Sequence, residues 1–236
     1  MLNYPGMEWK LGQILCPRWR PVAIAFADAP PEGIARIEGG EPASCGYWRL
    51  AAQGRSFHTV AGDHQNCPIG GYTLNVLQME TMPQLMRTFS FMGDLGYLRV
   101  EEIPRVLQLE EGPPVVVYAP LGETPLPPSV VVALGTPGRV MMLAEAATRA
   151  GAISTLPLVG HPTCMALAAA LAHGAVASTG CIGNRLYTGI GEGEMYFVLR
   201  GSDLEAIVAE VDTILAANEE LTAYHEERRA ALGRCK

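Results

Sequence analysis

Two apolar runs, each behind a proline and ahead of a Gly/Pro turn, constrain this chain more than any other feature: PVAIAFADAPPEG from Pro21 and PSVVVALGTPGR from Pro128. Short, continuous blocks of Val, Ile, Leu and Ala read as strands buried on both faces, because a half-exposed strand would alternate apolar with polar. Two further runs, PVVVYAP after Pro113 and EMYFVLR from Glu194, have the same character. Strands of this kind need helices on both sides of their sheet, which predicts the α/β class.

The order of features around these runs repeats. SCGYWRLAAQGRSFHTV in the first half is echoed by TCMALAAALAHGAVAST in the second: a hydroxyl residue, a cysteine, a helical pattern, a glycine, a short extended run. CPIGG at Cys67 and CIGNR at Cys181 then follow. Residue identity between the halves is low, so only the plan repeats. The expectation is a single unit over residues 1–236, with internal halves at 1–126 and 127–236 if the plan reflects duplication.

Ser44 before Cys45, and Pro162 and Thr163 before Cys164, are helix-start signals that would put both thiols in a first helical turn. There the free amides and the helix dipole favour thiolate, the metal-ligating and nucleophilic form. Gly54 and Gly174 stand where left-handed caps would end these helices. Cys67 and Cys181 lie beyond the extended runs, next to Gly70, Gly71 and Gly183, where a bare backbone lets a bulky or anionic group approach.

Duplication would bring the two cysteine pairs toward one axis. The favoured expectation is therefore a 4Fe-4S cluster held by Cys45, Cys67, Cys164 and Cys181, lined by Gly70, Gly71 and Gly183, with Arg185 neutralising its charge and redox or sulfur-transfer chemistry as its use. The C-x-x-C spacing of compact iron-sulfur and zinc motifs is absent. Zinc, a metal-free reactive thiol and plain core cysteines stay open as alternatives. His64 in HQNC and His161 in HPTC precede cysteines by three residues, as spare ligands, as bases, or as ordinary loop histidines. A rival of another class is a non-enzymatic small-ligand-binding module whose cysteines are structural.

With a net charge of -7 and no basic run, neither nucleic acid nor an anionic membrane is an expected partner. A small-molecule substrate or a redox partner is. No secretory signal pattern opens the chain, and no apolar run reaches the ~20 residues of a spanning helix, so a cytoplasmic location is expected with its six cysteines reduced. GIGEGE from Gly189 precedes a strand-like run instead of opening a helix and reads as a turn. LGTPGRVMMLAEAATRAG sets a glycine loop before an amphipathic helix, without the lysine and hydroxyl of a phosphate loop. From Ser202 a helix carries Leu204, Ile207, Val208, Val211, Ile214 and Leu215 as a core stripe. Beyond Leu221 it turns highly charged, as a solvated helix or an arm packing on another subunit would, which leaves a homo-oligomer open.

PVAIAF, SCGYWRLAAQGRSF, CPIGGY, CMALAAALAHG, STGCIGNR and GEMYFVLR, in this order, resemble the uncharacterised domain of unknown function 169 family (DUF169, ArCR) over about Pro21 to His225. The resemblance implies no activity.

Overall fold

In the computed structural model, which describes residues 2–15 and 18–233, seven strands form one sheet in the order β2-β3-β1-β4-β7-β6-β5. The strands are β1 (Val22–Ala27), β2 (Phe57–Thr59), β3 (Val115–Pro120), β4 (Val130–Gly135), β5 (Leu158–Val159), β6 (Ala175–Ser178) and β7 (Met195–Arg200). The four apolar runs singled out in the sequence are β1, β3, β4 and β7, and they occupy the middle of the sheet. Neighbours pair antiparallel except β5 with β6. The fold is α/β, as expected.

Successive strand residues point to opposite faces, and each face has its own helical cover. Val22, Ile24, Tyr118, Val132, Tyr196 and Val198 belong to a core shared with α2 (Ser44–Ala52) and α6 (Ala166–His173). Ala23, Val131, Ala133, Ala177, Phe197 and Leu199 belong to the opposite core. Its cover is α1 (Tyr4–Ile14), α5 (Pro137–Arg149) and the first half of α8 (Leu204–Gly233). Leu204, Ile207, Val208, Val211 and Ile214 of α8 are buried, which is the stripe read from the sequence.

The middle of the sheet is the pair β1 and β4, in register as Val22 with Val132, Ala23 with Val131 and Ile24 with Val130. On one side of that pair the order runs β1, β3, β2, and on the other β4, β7, β6. The two sides thus match strand for strand, while α5 and β5 have no counterpart in the first half. Two short helices, α3 (Pro68–Thr73) and α7 (Ile182–Thr188), follow β2 and β6 respectively.

The segment between α3 and β3 is an excursion built on α4 (Met82–Asp94). Its own small core joins Leu85, Phe89 and Leu98 to Ile69 and Tyr72 of α3. Among the described residues, no helix is long and apolar enough to cross a membrane.

Phe197 is fully buried on the central strand β7, so Phe197→Ala should cost about 3–5 kcal/mol through lost burial and a residual cavity. Urea unfolding monitored by circular dichroism measures this.

Candidate functional site

The cysteines of interest all lie on the α2/α6 side of the sheet. Cys45 is in the first turn of α2, as its sequence predicts. The cap is Ala43, however, and the hydroxyl of Ser44 does not serve the helix. It is hydrogen-bonded instead to Nδ1 of His64 at 3.0 Å, whose Nε2 meets Thr59 Oγ1 at 2.9 Å. Cys164 sits in a one-turn 3-10 segment, Thr163–Met165, that leads into α6. Gly174 ends α6 with φ +88°, and a Cβ there would lie 2.3 Å from the carbonyl oxygen of Ala152, so the position admits little but glycine.

Cys67 and Cys181 are the N-caps of α3 and α7. Cys67 Sγ accepts from the Gly70 amide at 3.3 Å. A Cβ on Gly70 would come within 2.3 Å of Ser44 Oγ and 2.9 Å of Cys67 Sγ. The missing side chain therefore lets α3 close onto α2. Gly71 follows in the same turn, its nearest neighbour Leu77 at 3.6 Å from a built Cβ, and Gly183 in α7 would meet only the ring of Tyr187, also at 3.6 Å.

All four are free thiols. They do not form a ligand set. Among the described residues, no group of three or more His, Cys, Asp or Glu side chains is disposed to hold a metal ion. This overturns the expectation of a 4Fe-4S cluster on Cys45, Cys67, Cys164 and Cys181, the zinc alternative, and the cluster-based redox or sulfur-transfer chemistry with them. The physical reason is placement: Cys45 and Cys164 are sunk in the core, while Cys67 and Cys181 cap separate helices. Desolvation pushes the Cys45 thiol up to about 12, against a smaller opposing contribution from Asn184, and pushes Cys164 well above its ordinary value, against one from Thr73. Both rest in the core as neutral thiols. A helix start favours thiolate only where solvent or a cation reaches it, and these two starts are packed into the core. Cys16 and Cys235 lie outside the described residues.

His64 is no spare ligand. It is buried between Ser44 and Thr59 with Tyr47 edge-on at 5.4 Å, and burial lowers its pKa to about 4.

His161 and Cys181 have a different setting. Together with Tyr97, Leu158, Val159, Gly160, Thr179, Gly180, Ile182 and Arg185 they line an open cleft of about 460 Å³. Tyr97, from the α4 excursion, packs its ring 4.5 Å from that of His161. The half-buried Cys181 is fixed from behind by its amide, which donates to Thr163 Oγ1 at 2.5 Å. Arg185 is locked in place because its guanidinium donates to the carbonyls of Gly191 at 2.8 Å, Glu194 at 3.1 Å, and Thr179. The carboxylate of Glu194 is in turn bound by Arg18 and by the Gly191 amide. The turn read in GIGEGE is therefore the strap that holds Arg185 at the cleft. Nothing in the spacing of the sequence points to Tyr97, Leu158 or Ile182, which reach the cleft through tertiary packing alone.

The order of these elements is matched by a family model: residues 10–210 fit DUF169, described as uncharacterised ArCR. The chain belongs to the DUF169 family. No curated protein matches it, and no solved structure does. The DUF169 match spans all seven strands, Cys45, Cys67, Cys164 and Cys181, and the whole lining of the cleft.

Two outcomes follow for this centre. Because His64 is held neutral in the fold and titrates at its ordinary 6.5 when unfolded, its contribution is complete above that value. It is lost as pH falls from 6.5 toward about 4, by about 3 kcal/mol in all. Urea midpoints between pH 7 and pH 4 should show this fall, and His64→Gln should flatten it. Cys45 and Cys164 should resist alkylation at neutral pH until the protein unfolds, while Cys181 reacts in the native state. Timed quenching and peptide mass spectrometry separate the three.

Proposed function

We propose that this DUF169 protein binds a small organic anion in the cleft beside Cys181, with the thiol placed against the bound molecule. The single observation that carries this reading is the convergence of a fixed cation, a half-buried thiol and an aromatic wall on one open cavity. Arg185 supplies the charge. Among the described residues its hydrogen bonds run to carbonyl oxygens, which orient its positive charge, and the nearby Glu194 carboxylate that its charge helps hold low is itself hydrogen-bonded by Arg18. The Tyr97 and His161 rings, with Leu158 and Ile182, give the ligand an apolar surface. A volume of about 460 Å³ is of the size that small-molecule sites have. The matched strand order about β1 and β4 supports reading residues 1–126 and 127–236 as related units.

The test uses two alkylating probes of similar size, anionic iodoacetate and neutral iodoacetamide. At Cys181 the ratio of their rates should favour iodoacetate by about fivefold relative to the same cysteine in unfolded protein, since a fixed cation concentrates the anion. The preference should fade as salt is raised to about 0.5 M, which shortens the reach of the charge. It should also fall in Arg185→Gln. A rate ratio equal to that of the unfolded chain, or one indifferent to salt, would overturn the reading.

A further inference from the structure

The cleft beside Cys181 gathers exposed apolar side chains around a cation. Leu158, on the edge strand β5, and Ile182, at the start of α7, both line it. They are 66% and 67% exposed, and Leu186, one turn on from Ile182, is 74% exposed. Ile182, Arg185 and Leu186 stand three and four residues apart and so share one face of α7. The fixed guanidinium is therefore flanked along its helix by aliphatic side chains. Single apolar residues scattered over a surface need no explanation, but a group of them collected about a charge in a cavity describes the shape of a ligand.

The polar part of that ligand carries one charge. Arg185 is the single lysine or arginine in the lining. Three of its five N–H donors are spent on the carbonyls of Gly191, Glu194 and Thr179. The neighbouring ions, Arg18 and Glu194, are paired with each other, so the strap and α7 together present one net positive charge. A carboxylate, with one negative charge and two oxygens, matches the two donors that remain. A second anionic group would rest against Leu158 or Ile182, where its lost hydration goes uncompensated. Hydroxyls laid there would likewise give up hydrogen bonds to water without replacement, so the walls favour a hydrocarbon body.

We infer that the ligand is an aliphatic monocarboxylate of medium chain length, with its carboxylate on Arg185 and its hydrocarbon chain along Leu158, Ile182 and Leu186. This rests on the anion site proposed above and names the class of molecule that fills it. Isothermal titration calorimetry on the full chain, with straight-chain acids from butanoate to octanoate, tests it without requiring the thiol to react. The half-saturating concentration should fall about twofold per added methylene, the factor expected when each is half buried. Hexylamine should not bind, and hexanedioate should bind about tenfold more weakly than hexanoate because its second charge is left unpaired. Arg185→Gln should weaken all the acids alike. Leu158→Ser combined with Ile182→Ser should instead flatten the dependence on chain length, and both positions are exposed, so the fold tolerates the change. No binding by any acid, affinity indifferent to chain length, hexanedioate or hexylamine binding as well as hexanoate, or a chain-length dependence that survives the double replacement would each overturn the inference. An iodoacetate preference at Cys181 alongside any of these results leaves the anion site standing and removes only the apolar body assigned to its ligand.

Discussion

The contact on which the rest of the molecule depends is the antiparallel pairing of β1 with β4. Each strand carries small or β-branched residues to both faces, so neither can be left open to water on either side. Joined at Ala23 and Val131, they unite the two ends of the sheet into one surface, and both faces must then be roofed by helices. The thickness of that roof on the α2/α6 side explains the fate of the thiols. Helices packed flat over Tyr118 and Tyr196 carry Cys45 and Cys164 into an apolar interior, where the neutral form is the stable one.

Several polar groups buried on that side are ordered by hydrogen bonds, and they specify geometry more than chemistry. His64 clamps Ser44 and Thr59, so it ties the start of α2 to β2. Asn184 donates to Tyr196 at 3.2 Å, and Tyr196 donates in turn to Thr188, so α7 is pinned to β7. These links fix the ends of short helices that have too few turns to hold themselves. Cys181 and Arg185 ride on the second of them, and their separation is set by that anchoring.

Much of this was legible in the residues. The four apolar runs became the central strands, the glycine after α6 became its cap, and the stripe from Leu204 to Ile214 became a core face. Local signals of this kind act over a few residues, and the chain obeys them. The position of Cys45 in a first turn was equally legible, but the direction of its sulfur and the burial around it were not. Those depend on what packs above the helix, which is decided by Gly70 and α3. Serine at a helix start read as a cap because nothing in its neighbours revealed that His64, twenty residues on, would take the hydroxyl. The cleft was only half visible: Cys181, Arg185 and His161 attracted attention by chemistry, whereas Tyr97 arrives from a segment whose sequence carries no periodic signal strong enough to place it.

That segment has a structural consequence. The wall of the cleft formed by Tyr97 belongs to an excursion held by a small cluster of its own around Leu85, Phe89 and Leu98, apart from both large cores. Cooperative units with few buried neighbours open at lower cost than the sheet they rest on. The cleft is thus bounded on one side by the β6 to α7 corner and on the other by a segment with a small core of its own. Were that segment to open, Cys181 and Arg185 would stay where α7 holds them, so in the proposed site the entrance and the anion-binding pair would belong to separate parts of the architecture.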